Sequence, residues 1–331
     1  MVTMSDVARA VGVTPVTVSN VVNGRKGVSP DVRRRVQAEL ERSGYRLNVS
    51  ARNLRVGRTG VIGLAVPELD STYFGQLGTL ITAAAAAKGY RVVVEETKAR
   101  ASRELAAIQL SEALDYDGLI LSAARLPDAD EPLTQLRRIP TVLLGERDLP
   151  QELDHIELAN IDGTREATEL LIARGCRKLA FVGRAPRDDA VFGGRREGFY
   201  AALSVAGLEA VTSVPLSTPD MTGGRRSAHQ LCDDGPDVDG IVALTDAVAI
   251  GVIRGLADRG VRVPHDVKVV GFDDVPEASF MTPSLSTVAP DHVWTARRAV
   301  ERLVARLEGG DHISGTEVAP FAIVERESTS V

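Results

Sequence analysis

The sequence predicts a small all-α head followed by a large α/β body of two lobes, each built on a doubly wound parallel sheet. Three observations predict this class. Short helices with clear capping residues occupy residues 1–46. From residue 60 onward, apolar runs alternate with helix-like stretches, a pattern typical of parallel sheets covered by helices. A helix-to-strand junction also recurs, at 89–92 (Gly-Tyr-Arg-Val) and at 175–178 (Gly-Cys-Arg-Lys), which indicates two repeated lobes.

The three helices of the head are predicted from their capping residues. Thr3 and Asp6 match the Thr-x-x-Asp capping box, which starts the first helix. Residues 14–15 (Thr-Pro) and 29–30 (Ser-Pro) each offer an N-cap hydroxyl followed by a first-turn proline. Gly12 makes a tight turn between the first two helices, so the head is a helix-turn-helix unit. The three helices are predicted to end at about residues 11, 22 and 44.

The charge of the chain is divided unevenly along its length. The whole sequence carries a net charge of −6, with 39 Lys/Arg and 45 Asp/Glu. Residues 1–58 contain 11 of the basic residues and 4 of the acidic ones, so this end is +7 and the remainder is −13. Because nucleic acid binds cationic surfaces through its phosphates, a basic head on an acidic body suggests that the head contacts DNA and the body avoids it.

The second helix of such a unit enters the major groove of DNA, with its amino-terminal residues nearest the bases. Pro15 and Val16 offer only apolar contact, for instance to a thymine methyl group, whereas Asn20 suits adenine or a phosphate. The hydroxyl side chains suit phosphate oxygens. The alternative interpretation is a helical cap that happens to be basic. The predicted DNA-contacting residues of the head are Thr14, Pro15, Val16, Thr17, Ser19, Asn20 and Asn23.

One continuous motif spans most of the head. From Val2 to Gly24 it reads V-T-x-x-D-V-A-x-x-x-G-V-T-x-x-T-V-S-x-V-V-N-G. This motif resembles the head of the lactose/galactose repressor family (LacI/GalR), and the resemblance extends over the whole chain. It implies that Pro15, Val16 and Asn20 select the operator bases. The family often has a proline where Leu47 stands here, a difference that affects the start of the hinge.

Residues 47–59 are predicted to form a hinge helix and linker. An isolated helix of about nine residues is marginal in water, so we expect the hinge to order only on DNA. The resemblance implies that two hinges, one per subunit, pair in the minor groove with Leu54 wedged between base steps. Asn48, Ala51 and Arg52 are the other predicted DNA contacts of this segment. The alternative interpretation is a flexible, basic linker with an incidental leucine.

Residues 60–331 are predicted to form an effector-binding and dimerisation domain. The resemblance, which includes periplasmic sugar-binding proteins, implies a chain that crosses between two lobes near 158–162, 284–288 and 316–320. The N-lobe is placed at about 60–158 and 288–317, and the C-lobe at about 159–285 and 318–331. Strands are predicted at 60–66, 91–95, 118–121, 141–144, 178–182, 240–243 and 267–271. Helices are predicted near 74–88, 102–114, 163–174, 191–206, 222–233 and 246–259.

The effector site is predicted at the carboxyl ends of the strands, where doubly wound sheets bind their ligands. The resemblance implies that Arg195 and Asp273 bind the effector, since a guanidinium and a carboxylate can grip adjacent hydroxyls or a ligand carboxylate. Tyr73 and Phe74 either stack on the ligand or pack in the core. Asp246 is expected to cap the helix that follows it. The predicted effector-binding residues are Tyr73, Phe74, Arg195, Thr245 and Asp273.

Other functional classes find little support in the sequence. It has no P-loop, no G-x-G-x-x-G after the first strand, no H-E-x-x-H and no G-x-S-x-G, so we expect neither an enzyme nor a cofactor. It has no apolar h-region at its start and no run long enough for a membrane span, so we expect a cytoplasmic protein. The predicted partners are double-stranded operator DNA, a sugar or related small-molecule effector, and a second copy in a homodimer. The predicted output is repression; the alternative is a cytoplasmic solute-binding protein of the periplasmic type.

Overall fold

The chain divides into two units, Met1–Thr59 and Gly60–Val331. The structure, a computed structural model, describes residues 2–22, 24–45, 58–123, 134, 136, 138–145, 153–184, 193–216, 218–235, 237–309 and 314–330. Within these ranges, no helix combines the length and the apolar character that crossing a bilayer requires.

The head consists of helices α1 (Met4–Val11), α2 (Pro15–Val22) and α3 (Pro30–Arg42). The predicted capping box is present, because Thr3 and Asp6 each accept a hydrogen bond from the other's backbone N–H. Ser29 caps α3 in the same way, accepting from the N–H of Val32. Small aliphatic side chains from all three helices close a common core, which contains Val7, Ala8, Val11, Val18, Val21 and Val36.

The N-lobe sheet is parallel throughout and follows the order β11-β5-β4-β3-β1-β2. Its strands are β1 (Val61–Val66), β2 (Arg91–Glu96), β3 (Gly118–Ser122), β4 (Thr141–Leu144), β5 (Asp154–Glu157) and β11 (Gly315–Val318). Strands β3 and β4 are buried along their whole length, as expected for a parallel sheet with helices on both faces. Those helices include α4 (Thr72–Ala87), α5 (Ala101–Ala113) and α11 (His292–Leu307).

The C-lobe sheet repeats this arrangement in the order β12-β10-β9-β8-β6-β7, and only the β10–β12 pair is antiparallel. Its strands are β6 (Leu179–Arg184), β7 (Thr212–Pro215), β8 (Gly240–Ala243), β9 (Lys268–Phe272), β10 (Ser286–Pro290) and β12 (Phe321–Val324). Its helices are α6 (Asn160–Ala173), α7 (Gly193–Ala206), α8 (Met221–Asp234), α9 (Asp246–Asp258) and α10 (Pro276–Phe280). The predicted class, a helical head with two parallel-sheet lobes, is confirmed.

The chain crosses between the lobes at three places. It leaves the N-lobe after β5 and enters α6 at Asn160, and it crosses for the third time between β11 and β12. The second crossing lies after Pro290, and the expected position at 284–288 was wrong. Residues 286–288 instead form part of β10, which pairs with β9 on one side and β12 on the other. The chain therefore reaches the N-lobe only at α11, which the sequence analysis had not predicted.

Candidate functional site

One side of α2 is buried and the other is exposed. Val18 and Val21 point into the head core. Thr14, Pro15 and Val16 lie on the surface at the start of the helix, and 67% of Val16 is exposed. An exposed aliphatic side chain on such a small unit provides apolar surface without contributing to the core. The predicted base-reading side of α2 is therefore accessible in the folded head.

Hydroxyl groups surround the amino terminus of α2. Thr14 Oγ1 accepts a hydrogen bond from the N–H of Thr17 at 3.2 Å and lies 2.9 Å from Thr17 Oγ1. Ser19 and Asn20 follow on the same helix and are half-buried. Because helix N–H groups and the helix dipole favour anions at this end, the start of α2 suits a phosphate oxygen.

Two arginines of α3 hold the other helices of the head in place. Arg33 donates from Nη2 to the carbonyl of Arg25 at 2.7 Å, in the segment that follows α2. Arg35 donates from Nη2 to the carbonyl of Val11 at 2.5 Å, at the end of α1. Cations stabilise the carboxyl ends of helices, where carbonyl groups lack partners. Part of the positive charge of the head therefore maintains its fold.

Five predicted DNA contacts, Asn23, Asn48, Ala51, Arg52 and Leu54, lie outside the described residues. The hinge prediction depends on these residues, apart from Asn23, and stays a prediction.

In the body, Arg195 is the centre of a buried polar cluster at the carboxyl edge of the C-lobe sheet. Its Nε donates to Asn160 Oδ1 at 2.8 Å and its Nη1 to the carbonyl of Leu244 at 2.7 Å. Its Nη2 lies 3.5 Å from Asp273 Oδ1. The guanidinium also stacks on the ring of Phe272, 3.6 Å from its centroid. Contacts on all these sides hold a 5%-exposed guanidinium in one orientation.

Asp273 completes this cluster from a constrained backbone position. Its φ is +123°, a region that residues other than glycine rarely occupy, and its N–H donates to the carbonyl of Val288 at 2.9 Å. His292 Nε2 donates to the carbonyl of Asp273 at 2.5 Å. Burial raises the pKa of the Asp273 carboxyl above its ordinary value, and the charges of Arg195 and His292 oppose that rise. The site therefore fixes a carboxyl group that binds protons near neutral pH more readily than a solvated one.

The predicted aromatic residues lie where the two lobes meet. Tyr73 packs against the cores of both lobes, while Phe74 packs against the N-lobe core. The two rings meet edge to face with centroids 4.8 Å apart, and the Tyr73 ring lies 5.4 Å from the ring of His292. Both side chains are half-buried, so each has a packing role and retains some exposed surface. Tyr73 and His292 thus connect α4 and α11 of the N-lobe to the Asp273 loop of the C-lobe.

A second contact between the lobes lies close to Tyr73. Thr72, the first residue of α4, donates from Oγ1 to Glu277 Oε1 of α10 at 2.9 Å. The lobes therefore touch at the start of α4. The residues that follow Thr72 in this helix are the aromatic residues beside the Arg195 cluster, Tyr73 and Phe74.

Thr245, and not Asp246, caps helix α9, so the expectation for Asp246 was wrong. Thr245 Oγ1 accepts from the N–H of Val248 at 3.2 Å, while Asp246 is already the first residue of the helix. The reason lies in geometry: the residue just before the first turn is the one whose side chain reaches the free N–H groups. Thr245 thus has a structural partner in addition to its predicted role at the effector site.

The carboxyl group of Asp246 is fully buried beneath the Arg195 cluster. Its oxygens accept from Thr287 Oγ1 at 2.6 Å and from the N–H of Val275 at 3.0 Å. Only glycine fits at position 271, since a Cβ there would lie 2.1 Å from Asp246 Oδ1. Burial raises the pKa of Asp246 to about 8, and the charge of Asp273 adds to this rise against the two hydrogen bonds. Asp246 therefore holds Thr287 and Val275 in place next to the site, and its carboxyl group is largely protonated at neutral pH.

The predicted effector-binding residues did not include Asn160, Phe272 or His292, which the structure adds to this site. Asn160 opens the helix that follows the first crossing, and His292 opens the helix that follows the second. For Asn160 this position was an available signal, since the first crossing was predicted near 158–162, whereas the second crossing was predicted at 284–288 and so did not point to His292. Within the described part of the chain, no group of three or more His, Cys, Asp or Glu side chains is arranged to hold a metal ion.

Comparison with family models matches both parts of the chain. Residues 3–48 match the model described as bacterial regulatory proteins, lacI family. Residues 168–329 match a periplasmic binding protein-like domain. The first match covers the three head helices, and the second covers most of the C-lobe, including Arg195 and Asp273.

Full-length relatives and a solved structure extend these matches. The HTH-type transcriptional regulator GalS of Salmonella typhimurium is 31% identical over 334 residues, covering 100% of this chain and 97% of that protein. The ribose operon repressor of Halalkalibacterium halodurans is 29% identical, covering 99% and 97%. The lac repressor dimer, solved bound to operator and the anti-inducer ONPF, matches with a TM-score of 0.86 and 26% identity, covering 99% of both chains.

Proposed function

Because this chain belongs to the LacI family of bacterial regulatory proteins, we propose that it represses transcription by binding a pseudo-palindromic operator as a homodimer. A small molecule bound between its lobes controls that binding. The chain is a DNA-binding transcription regulator with a periplasmic-binding-protein-like domain; the operator, the dimer and the effector are the proposal. The single observation that carries it is the exposed start of α2, with Thr14, Pro15 and Val16 on the surface of a well-packed basic head.

In the proposed complex, α2 lies in the major groove with its amino terminus towards the bases. Val16 and Pro15 contact a thymine methyl group, and Asn20 pairs with adenine or a phosphate. Thr14, Thr17 and Ser19 bind phosphate oxygens and set the register of the helix. Two heads related by a twofold axis require two half-sites in inverted order.

The hinge supplies the second part of operator recognition. Leu54 inserts between base steps of the minor groove, with Asn48, Ala51 and Arg52 contacting the backbone beside it. Unstacking a base step costs a few kcal/mol, which the extra contacts on the bent duplex offset. Specific binding therefore depends on hinge order, while non-specific binding depends mainly on the charge of the head.

The effector binds beside Arg195 and Asp273, with Tyr73 and Phe74 along the N-lobe side and Thr245 nearby. The charge of Arg195 is balanced by Asp273, so a neutral ligand with adjacent hydroxyl groups, such as a sugar, fits this pair. Binding changes the position of one lobe relative to the other and thereby the spacing of the two hinges. A differential affinity of about 1–3 kcal/mol between the two states is enough for a useful switch.

Selection of random duplexes by the purified protein tests this function. We expect the sequenced bound pool to contain a pseudo-palindrome with a deformable central step, because two heads and two hinges then act together. Candidate sugars are added to the isolated operator to measure release or tightening. A pool without sequence preference, both with and without a metabolite extract, would contradict the proposal.

A second candidate, a cytoplasmic solute-binding protein, is favoured by the periplasmic binding protein-like match at residues 168–329. Removing residues 1–58 separates the two functions. A solute-binding protein keeps its whole activity without the head, whereas a regulator keeps effector binding and loses DNA binding. Because the head and the body are separate units, the shortened chain retains all elements of the body.

A further inference from the structure

Gly60, the first residue of the body, is held on both sides at the amino edge of the N-lobe sheet. Its N–H donates to Asp117 Oδ2 at 2.7 Å, and its carbonyl accepts from the N–H of Arg91 at 2.9 Å. The carbonyl of the next residue, Val61, accepts from the N–H of Asp117 at 2.8 Å. Asp117 therefore binds the incoming chain through its carboxylate and through its own backbone.

The backbone at Gly60 also sets the direction in which the chain enters the sheet. Its φ is +71°, in the left-handed region that glycine adopts without strain. The nearest atom to a Cβ at this position would be the carbonyl oxygen of Gly89, at 4.0 Å. Glycine is needed here for its backbone angle and not for space. The hydrogen bond that the N–H of Gly60 donates to the Asp117 carboxylate holds that angle.

Strand β1 connects this entry point directly to the cleft. Its residues from Ile62 to Val66 are buried, and its six residues span roughly 20 Å. The chain leaves its carboxyl end for α4, where Thr72 contacts the C-lobe and Tyr73 lies beside His292. Because β1 is paired with β2 and β3 and buried in a close-packed core, it joins Gly60 to the cleft as one rigid element.

We propose that Asp117 is a positioning residue for operator binding, because it fixes the point at which the hinge joins the body. This inference rests on the proposed function, since only a hinge that orders on DNA needs a defined exit. Two hinges presented at a fixed spacing lose less conformational freedom when they pair in the minor groove. Without the Asp117 carboxylate the exit varies in direction, and specific binding weakens while phosphate contacts of the head persist.

The C-lobe has an aspartate in the same position, Asp239, but no hinge enters the sheet beside it. Asp239 therefore serves as the control for Asp117. Asp239 precedes β8 as Asp117 precedes β3, and its carboxylate accepts from the N–H groups of Arg177 and Lys178 at 2.8–3.0 Å. The N–H of Asp239 also donates to the carbonyl of Lys178 at 2.9 Å. There the incoming chain is the α6–β6 connection, which lies wholly within the body.

The test measures binding of full-length variants to the selected operator and to a scrambled duplex of equal length, at one salt concentration. We expect Asp117→Ala to bind the operator about tenfold more weakly, the effect of one charged hydrogen bond, with scrambled binding unchanged. Asp117→Asn keeps an acceptor for the N–H of Gly60 and should stay close to the wild type. Asp239→Ala should lose body stability without changing the ratio of specific to scrambled affinity. Gly60→Ala, which disturbs the same anchor from the chain side, replaces Asp117→Ala if that variant does not fold.

The outcomes separate this inference from the function beneath it. A wild-type protein that selects no sequence would overturn the proposed function and this inference with it. A wild type that binds its operator while Asp117→Ala and Gly60→Ala bind equally well would overturn the inference alone. Equal losses for operator and scrambled duplex, or an equal loss of the affinity ratio in Asp239→Ala, would reduce Asp117 to a general stabilising residue and also overturn it.

Discussion

The two lobes share one sheet order but form buried arginine–aspartate pairs at opposite edges. The C-lobe buries Arg195 and Asp273 at the carboxyl edge, in the cleft. The N-lobe buries Asp154, the first residue of β5, against Arg302 of α11 at 2.8 Å, and these residues are 0% and 4% exposed. Because parallel sheets bind ligands at their carboxyl ends, the Arg195–Asp273 pair lies where a ligand would bind, whereas the Asp154–Arg302 pair lies at the opposite edge and joins β5 to α11.

The amino edges of the lobes, in contrast, are built alike. An aspartate directly before a glycine, Asp117 in one lobe and Asp239 in the other, binds the chain entering the neighbouring strand. The two lobes thus share this aspartate–glycine arrangement at their amino edges and differ in the chain that it binds: the entry to β1 in the N-lobe and the α6–β6 connection in the C-lobe. Function in this molecule resides in residues added to a repeated framework.

The largest expected effect tests the structural role of the N-lobe charge. Asp154→Ala removes the buried carboxylate that pairs with both Arg302 and Arg306 and leaves Arg302 with Glu317 alone, 3.3 Å away; losing one partner of a buried pair costs about 3–5 kcal/mol, and Glu317 should hold the loss near the lower end. Denaturant unfolding of the body should show this loss in its midpoint. Glu301→Ala, which breaks exposed pairs with Arg297 and Arg298, should cost less than about 1 kcal/mol. A loss from Asp154→Ala as small as that of the control would contradict the assignment.

The buried acid of the C-lobe should make stability depend on pH. The pKa of Asp246 is raised to about 8 when folded, so its contribution is complete below about pH 4 and is lost as pH rises towards 8. Asp246→Asn removes this dependence because an amide does not titrate. The amide can donate to Thr287 while Thr287 donates to the carbonyl of Val288, 3.2 Å away, so the variant keeps these contacts. The unfolding free energy of the variant relative to the wild type should therefore rise by roughly 2–4 kcal/mol between pH 5 and pH 8.

Asp233→Asn is the control for this titration. The hydrogen bond from Arg259 lowers the pKa of Asp233, so Asp233 stays ionised across this range and its variant should show no such change. Parallel pH profiles for wild type and Asp246→Asn would show that Asp246 does not hold its proton.

Arg195→Ala tests whether the C-lobe charge serves recognition. The variant should lose the effector response, worth about 1–3 kcal/mol, and keep its operator affinity without ligand, because the cluster is remote from DNA contacts along the chain. Operator titrations with and without effector measure both quantities. Arg165→Ala, an exposed arginine on α6 paired with Asp162, should keep the response. A retained response in Arg195→Ala would place the effector elsewhere.

The smallest expected effect concerns the hinge. It joins the body at the amino edge of the N-lobe sheet and has no counterpart in the C-lobe. Leu54→Ala should weaken operator binding by about 1–2 kcal/mol, on the order of tenfold, because it removes an apolar wedge. Binding to a scrambled duplex should hardly change, since that depends on charge. Equal losses on both duplexes, measured at one salt concentration, would rule out the wedge.

The head and the parallel sheets were predictable because their signals are local. Thr3 with Asp6 and Ser29 with Pro30 mark helix starts within four residues, and strands buried on both faces read as apolar runs. Strands β5, β7, β10, β11 and β12 escaped prediction. Two of them lack a continuous apolar run: β5 reads Asp-His-Ile-Glu, and β11 alternates between half-buried and exposed positions. Helix α11 had a detectable pattern in Ala296, Ala299, Val300 and Leu303, which recur at helical spacing and are all buried.

The sequence by itself determined the family and the division into a basic head and an acidic body, and it singled out Arg195 and Asp273, which the structure brings together. Only the tertiary structure decided what surrounds them: Asn160 meets Arg195 across 35 residues, and His292 meets Asp273 across 19. It also decided that Thr245 caps α9 while Asp246 is buried beneath the cluster. Capping and periodicity act within one or two turns of chain, whereas a site assembled from crossing segments depends on burial and packing between distant residues.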